Sequence, residues 1–403
     1  MTRKTILSKV RRLVLKVGSR VLTAKGRILS QAIFDRLARE VSAAKKKGYE
    51  VIIVSSGAIA AGMARLGLGE KPKTMPQKQA AAAIGQSALM WNYERAFSFF
   101  GEKVAQVLLT RDDLSNRNRY LNARNTLFTL LGFGVIPIIN ENDTVVVEEI
   151  KFGDNDNLSA LVTNLVSADL LVILSDIDGL YDRDPRLHKS ARLIPLVPQV
   201  TAELEKRASG TLSPISIGGM VTKLQAARKA GLFGVPMILA NGMEEGILER
   251  ILRGEDVGTL FVSEGNKLTS RKHWIAFTLE AMGKIVVDDG AKRAILQKGK
   301  SLLPSGVIAA EGKFSLGDPV ILADTHGQEF AKGLTNYGST EINKIKGLKT
   351  TEVEGKLGYK YSDEIIHRDD LVCAQFQSSG LSVPELPSGQ ATGRETGDSE
   401  KPR

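Results

Sequence analysis

Short β-branched runs alternate with helix-like stretches through the first two thirds of the chain. That alternation limits the fold more than any other feature. The runs are Leu13 to Val17, Val51 to Val54, Val104 to Leu109, Val135 to Ile139 and Leu170 to Leu174. Between them, Ser30 to Lys47 carries Ile33, Leu37, Val41 and Ala44 at helical spacing, with Ser30 placed to cap its start and Gly48 its end. Gln77 to Phe100 is rich in alanine and also reads as helix. Strand–helix alternation implies βαβ units, and near-continuous apolar strands imply a sheet covered on both faces. The expected fold class is therefore α/β, a three-layer αβα sandwich with a mostly parallel sheet. The pattern continues through a helix at Lys223 to Gly231, a strand at Val235 to Ala240 and a helix at Glu244 to Arg253, and fades near Thr278.

From Gly283 the texture changes to short strands and many turns. The strands are Lys284 to Val287, Val307 to Ala310, Pro319 to Leu322 and Phe330 to Leu334. Asp289-Gly290, Pro304-Ser305-Gly306, Glu311-Gly312-Lys313 and Leu316-Gly317-Asp318 read as turns. A small β-rich barrel or sandwich is expected, ending near Val372. Gln377 to Arg403 holds mostly small and charged residues with little to bury, and a disordered tail is expected there. The organisation read from the sequence is a catalytic domain over 1–278, a β-rich domain over 279–375 and a tail over 376–403. A chain of 403 residues is long enough for two or three domains.

One cysteine, Cys373, excludes an intrachain disulfide and a cysteine-based zinc site, and fits a reducing cytoplasm. The histidines at 188, 273, 326 and 367 are too scattered for metal-ligand spacing. No apolar run approaches the roughly 18 residues that span a membrane. Met1 to Lys9 is basic without a signal-peptide core behind it, so secretion and membrane integration are not expected. The formal net charge is +10, but the cations are dispersed. Their densest run, Lys45 to Lys47, ends a helix, where cations suit the dipole. Gly299-Lys300-Ser301 lacks the earlier glycine of a phosphate-binding loop, since Ala294 occupies that position. His367-Arg368-Asp369 lacks the asparagine of a kinase catalytic loop, since Ala374 stands there.

Four segments fall where strands end and helices begin, the place where open α/β sheets bind ligands. Leu15-Lys16-Val17-Gly18-Ser19 puts a lysine at a strand end, which is costly unless it meets an anion or reaches the rim. Ser55-Ser56-Gly57-Ala58 opens a helix with small residues, offering backbone N–H groups to a carboxylate or phosphate, or simply capping the helix. Asn140-Glu141-Asn142-Asp143 and Gly153-Asp154-Asn155-Asp156-Asn157 crowd more polar side chains before a helix than capping needs. Ser175-Asp176-Ile177-Asp178-Gly179 and Gly218-Gly219-Met220-Val221-Thr222-Lys223 combine a strand end with a glycine pair and a lysine, either a phosphate cradle or a plain glycine loop.

In this order the motifs Lys-x-Gly-Ser, Ser-Ser-Gly-Ala-Ile-Ala-Ala-Gly, Leu-Leu-Thr-Arg-Asp-Asp, Ile-Asn-Glu-Asn-Asp, Gly-Asp-Asn-Asp-Asn-Leu-Ser-Ala and Gly-Gly-Met-x-Thr-Lys-Leu-Gln-Ala-Ala resemble the amino acid kinase family. The pairing of Asn-Glu-Asn-Asp with Gly-Asp-Asn-Asp-Asn resembles its bacterial glutamate-phosphorylating branch, as distinct from aspartate or carbamate kinases. The resemblance runs from about Leu13 to Leu260, and Gly283 to Val372 is similar to the PUA domain that follows many of these kinases.

The resemblance implies transfer of the γ-phosphoryl of ATP to the side-chain carboxylate of L-glutamate, the opening step of proline synthesis. It implies Lys16, Lys223 and Asp156 as catalytic residues, and Ser56, Gly57, Ala58, Asp143 and Asn155 as the glutamate site. Lys16, Ser175, Asp176 and Ile217 through Lys223 (Ile217, Gly218, Gly219, Met220, Val221, Thr222, Lys223) would bind ATP. Mg2+ is the implied cofactor, bridging the phosphates without a dedicated protein metal site. Feedback inhibition by proline, a homodimer or homotetramer, and possible RNA contact through the PUA domain are further implications. Ile217 departs from the family's threonine before the glycine pair, which predicts weakened or rearranged ATP contacts. The alternatives are another acyl-phosphate-forming amino acid kinase and, from a different class, an RNA-binding protein acting through the PUA domain.

Overall fold

The computed structural model describes residues 2–24, 28–70, 72–145, 155–201, 203–205, 217–263 and 281–373. Eight strands form the first sheet: β1 Arg12–Val17, β2 Glu50–Ser55, β3 Val104–Leu109, β4 Ile136–Glu141, β5 Leu170–Ser175, β6 Leu196–Val197, β7 Met237–Asn241 and β8 Thr259–Phe261. Their order is β3-β4-β2-β1-β5-β7-β8-β6, and only the β7–β8 pair is antiparallel. The described helices of this part are α1 Arg3–Leu7, α2 Ser19–Leu22, α3 Gln31–Lys46, α4 Ala58–Arg65, α5 Met75–Ser98, α6 Arg111–Ser115, α7 Arg117–Gly132, α8 Asn155–Leu165, α9 Ile217–Leu232 and α10 Ile247–Leu252.

β1 explains the layering. Its alternate residues enter two separate cores, as the two-residue period of a strand requires. Leu13, Leu15 and Val17 join Phe34, Leu37, Tyr93 and Phe97 on one face. Val14 joins Ile52, Val54, Leu158 and Leu224 on the other. The α/β sandwich expected from the sequence is thus present, with helices on both faces of a mostly parallel sheet. β1 is also the point where the chain reverses direction. It pairs with β2 on one side (Lys16 opposite Val54) and with β5 on the other (Lys16 opposite Ile173). The connection from β4 through α8 to β5 crosses over it, so the crevice above β1 is the switch point where ligands bind in such sheets.

A second, five-stranded sheet comprises β9 Gly283–Val287, β10 Val307–Glu311, β11 Pro319–Ala323, β12 Glu329–Leu334 and β13 Leu371–Cys373, in the order β10-β9-β11-β12-β13. It encloses its own core of Ile285, Val287, Val320, Leu322, Phe330 and Tyr337. One expected turn is overturned here. Asp289-Gly290 opens a helix, α11 Asp289–Lys298, because the Asp288 carboxylate accepts from the Ala291 N–H at 2.7 Å and caps it. Gly299 ends that helix at φ +56°, so the glycine-lysine-serine triplet follows a helix instead of preceding one, unlike a phosphate-binding loop. The helices α12 Ser339–Ile345 and α13 Val353–Leu357 complete this part. Ser30 stands at the start of α3 but makes no capping bond, and Gly48 lies one residue beyond the cap, at φ +87°. The boundary at 278/279, the end of the β-rich domain at 375, the tail from 376, and Gly153 and Asp154 of the motifs lie outside the described residues.

Candidate active site

Lys16, Asp156 and Lys223 come together in the crevice above β1. Lys16 is the fifth residue of that strand, α8 starts one residue before Asp156, and Lys223 lies two turns into α9. Lys16 Nζ is 2.5 Å from Asp156 Oδ1, and Lys223 Nζ is 3.0 Å from Oδ2. The three are 6%, 0% and 8% exposed. The Thr222 hydroxyl also donates to Oδ2 at 3.1 Å, and Lys223 donates to the Gly219 carbonyl at 3.0 Å. Burial alone would raise the Asp156 carboxyl, but Lys16 and then Lys223 outweigh it and hold the group at about 2. Its place in the first turn of α8 favours the same ionised form. Among the described residues, two cations against one carboxylate leave one positive charge in excess inside a nearly closed site. Buried charge without a partner is strongly unfavourable, so this arrangement is built to receive an anion.

The nucleotide-side residues assigned from the sequence lie on the same rim. Ser175 ends β5, and its carbonyl accepts from the Gly242 N–H at 2.7 Å. Asp176 Oδ2 lies 3.1 Å from Arg20 Nη1, an arginine of α2 that sequence reasoning missed. Ile217 opens α9, and a Cβ built on Gly219 would meet nothing within 4 Å. The glycine there is not demanded by packing, which leaves open backbone for a ligand to approach. Met220 packs partly buried against the core, so its side chain supports α9. Tyr181 donates to Asp178 Oδ2 at 2.7 Å and is pushed up to about 12 by that bond, while Asn241 Nδ2 donates to Asp178 Oδ1 at 2.8 Å.

The residues assigned from the sequence to the substrate are joined by an amide network. Asn155 Nδ2 donates to the Ser55 carbonyl at 2.6 Å, to Asn140 Oδ1 at 2.8 Å and to Ser56 Oγ at 3.3 Å. The Ser56 N–H donates to the Val17 carbonyl at 3.1 Å, fixing the β2 turn to β1. Gly57 sits at φ +103°, a conformation that favours glycine, and lets Ala58 begin α4. Asp143 is half-buried in the turn after β4. The helix beneath is unusually close. A Cβ on Gly62 would lie 1.7 Å from the Ala81 carbonyl, and one on Gly85 1.7 Å from that of Ala58, so α4 and α5 touch backbone to backbone. From α5, the buried Tyr93 hydroxyl reaches Ser55 Oγ at 2.9 Å. Asn140 was singled out in the sequence within Asn140-Glu141-Asn142-Asp143, without a role of its own, whereas Gln86, Tyr93 and the Thr222–Asp156 contact were not read there and depend on long-range contacts.

Residues 11–241 match the amino acid kinase family and residues 283–357 match the PUA domain. The chain belongs to the amino acid kinase family, as its motifs led us to expect. It is 58% identical over 370 residues to the glutamate 5-kinase of Geobacter sulfurreducens, covering 92% of this chain and 99% of that protein. The glutamate 5-kinase of Geobacter metallireducens matches with the same identity and coverage. That of Caldanaerobacter subterraneus subsp. tengcongensis is 53% identical over 361 residues, covering 90% of this chain and 97% of the relative. Among solved structures, a UMP kinase from Bacillus anthracis aligns with a TM-score of 0.45 and 17% identity, over 64% of this chain and 97% of its own.

Proposed function

We propose that this chain transfers the γ-phosphoryl group of ATP to the side-chain carboxylate of L-glutamate, giving L-glutamyl 5-phosphate, the first step of proline biosynthesis. The observation that carries the reading is the excess buried cation formed by Lys16 and Lys223 around Asp156. The glutamate 5-kinase relatives, matched over nearly their whole length, support the choice of substrate.

The acceptor carboxylate is ionised at neutral pH, so the reaction needs no general base. Its oxygen attacks the γ-phosphorus, the bond to the β,γ-bridging oxygen breaks, and ADP leaves with the electron pair. Catalysis then consists of positioning and charge neutralisation. In our reading Lys16 contacts the migrating phosphoryl group, and Lys223 offsets charge developing on the leaving β-phosphate. Asp156 holds both ammonium groups at one spot against their mutual repulsion. Ser56, the Gly57 and Ala58 N–H groups, Asp143 and Asn155 hold glutamate, with Asp143 pairing its α-ammonium. Ser175, Asp176 and Ile217 through Lys223 hold the nucleotide.

Mg2+ would supply charge neutralisation at the ATP phosphates. Both Asp156 oxygens are occupied by lysines, and no cluster of three or more His, Cys, Asp or Glu suited to a metal occurs among the described residues. With both oxygens taken by lysines, Asp156 would leave the ion to the nucleotide phosphates. Proline inhibition, assembly into a homodimer or homotetramer, and a cytoplasmic location complete the proposal. No helix among the described residues is long and apolar enough to cross a membrane. For the PUA domain, RNA contact and a structural role stand side by side, and salt-sensitive retention of RNA by the purified protein decides between them.

The test is ATP-dependent turnover on a panel of L-glutamate, N-acetylglutamate and aspartate. Glutamate is expected to give by far the highest kcat/KM, and preference for another member overturns the assignment.

A further inference from the structure

The amides around Asn155 have a fixed polarity. The Ser55 carbonyl can only accept, so the Asn155 atom 2.6 Å from it is the NH2 group. That NH2 faces an Asn140 atom 2.8 Å away, which also receives the Glu141 N–H at 2.9 Å and is therefore the oxygen. The Asn140 NH2 then points the other way and donates at 2.8 Å to Gln86 Oε1, on α5. Every hydrogen bond in this chain has one possible direction. It leaves two ends unused among the described residues. One is Asn155 Oδ1, on the side of its amide turned away from the strand ends. The other is Gln86 Nε2, a buried donor without a partner.

A buried donor left unpaired is unfavourable, and a hydrophobic residue at position 86 would avoid it. Gln86 therefore does something an apolar side chain would not. It is the acceptor that holds the Asn140 NH2, and Asn140 is only 2% exposed, with little access to water as a substitute. With Asn140 held, Asn155 keeps its NH2 on the Ser55 carbonyl and its oxygen free. A free amide oxygen suits a cationic donor, as does the Asp143 carboxylate assigned to the same substrate. Resting on the function proposed above, we infer that Gln86 is a positioning residue for the substrate's α-ammonium group. It acts through Asn140 and Asn155, 54 and 69 positions along the chain, and sets how well the site reads a free amino group.

The variants that test this are Gln86→Met, which removes the acceptor at similar volume, and Gln86→Glu, which keeps an oxygen for Asn140 and replaces only the unpartnered nitrogen. Steady-state kinetics with ATP and glutamate are compared with thermal melting of the same preparations. Q86M is expected to raise the glutamate KM about tenfold, the size of one lost buried hydrogen bond, with the ATP KM unchanged. Q86E is expected to restore most of that loss. A role confined to folding lowers Tm and the amount of active enzyme but leaves the glutamate KM where it was. An unchanged glutamate KM in Q86M, an equal rise in both KM values, or a Q86E variant as impaired as Q86M overturns the inference. Should Q86M not fold, Gln86→Ala serves in its place against the same outcomes. If the wild-type protein fails to phosphorylate glutamate at all, the functional proposal falls first, and the two failures are distinct.

Discussion

The two sides of the crevice are built from different interactions. Toward β5 the anchoring groups are full charges, Lys16 and Lys223 around Asp156. Toward β4 a network of neutral amides and carbonyls, Asn155, Asn140, Gln86 and Ser55, stands beside the single carboxylate assigned to that side, Asp143. Coulomb energy falls only as the inverse of distance, so a charge cluster keeps its hold on a group that moves by an ångström. Hydrogen bonds weaken steeply with angle and distance, so an amide network favours one pose. The first suits phosphorus migrating between two oxygens. The second suits a small substrate recognised by the direction of its donors and acceptors.

Three changes would break or sharpen this contrast. The largest effect is expected from Lys223→Ala, which should lower kcat about 10³-fold, the range for losing one preorganised electrostatic contact. The glutamate KM should barely move, and near-normal turnover would remove the charged side from the chemistry. Next comes Asp143→Ala, which should raise the glutamate KM up to about 100-fold, as for losing a charge-assisted bond, with the ATP KM steady. Equal changes in both constants would erase the division between the two sides.

The smallest effect concerns acid. Asp156 is held at about 2 against an ordinary 3.8. A depressed carboxyl pKa contributes stability that is fully present above the unfolded value and is lost as pH falls through the folded one. The folded protein should thus lose roughly 2 kcal/mol between about pH 4 and pH 2 from this residue. Denaturant unfolding of wild type and Asp156→Asn across that range checks it. The variant should be less stable at neutral pH yet flatter in acid, and equally steep curves would show that the carboxylate is not what titrates.

The charged side was far more legible in the sequence than the amide side. Lys16 interrupts the end of an apolar strand, Asp156 sits in a dense polar run at a helix start, and Lys223 follows a glycine pair, all local patterns. Gln86 lies in an alanine-rich helix where nothing nearby distinguishes it, and its partner is 54 residues away. Tyr93 is likewise ordinary until the fold brings it to Ser55. Six of the eight strands of the first sheet were legible because each carries its own apolar run, while the two- and three-residue strands β6 and β8 are too short to show one. The helix Asp289–Lys298 was not, because Asp-Gly is as good a turn signal as a helix start, and the choice falls to Asp288 capping and the burial of Ile295.

The backbone contact between α4 and α5 has a mechanical consequence. Gly62 and Gly85 leave no layer of side chains on which one helix could slide over the other. The platform under the substrate loop and the rod carrying Gln86 and Tyr93 must travel as a single slab. If the crevice opens and shuts during turnover, α4 and α5 are expected to move as one anvil-like block.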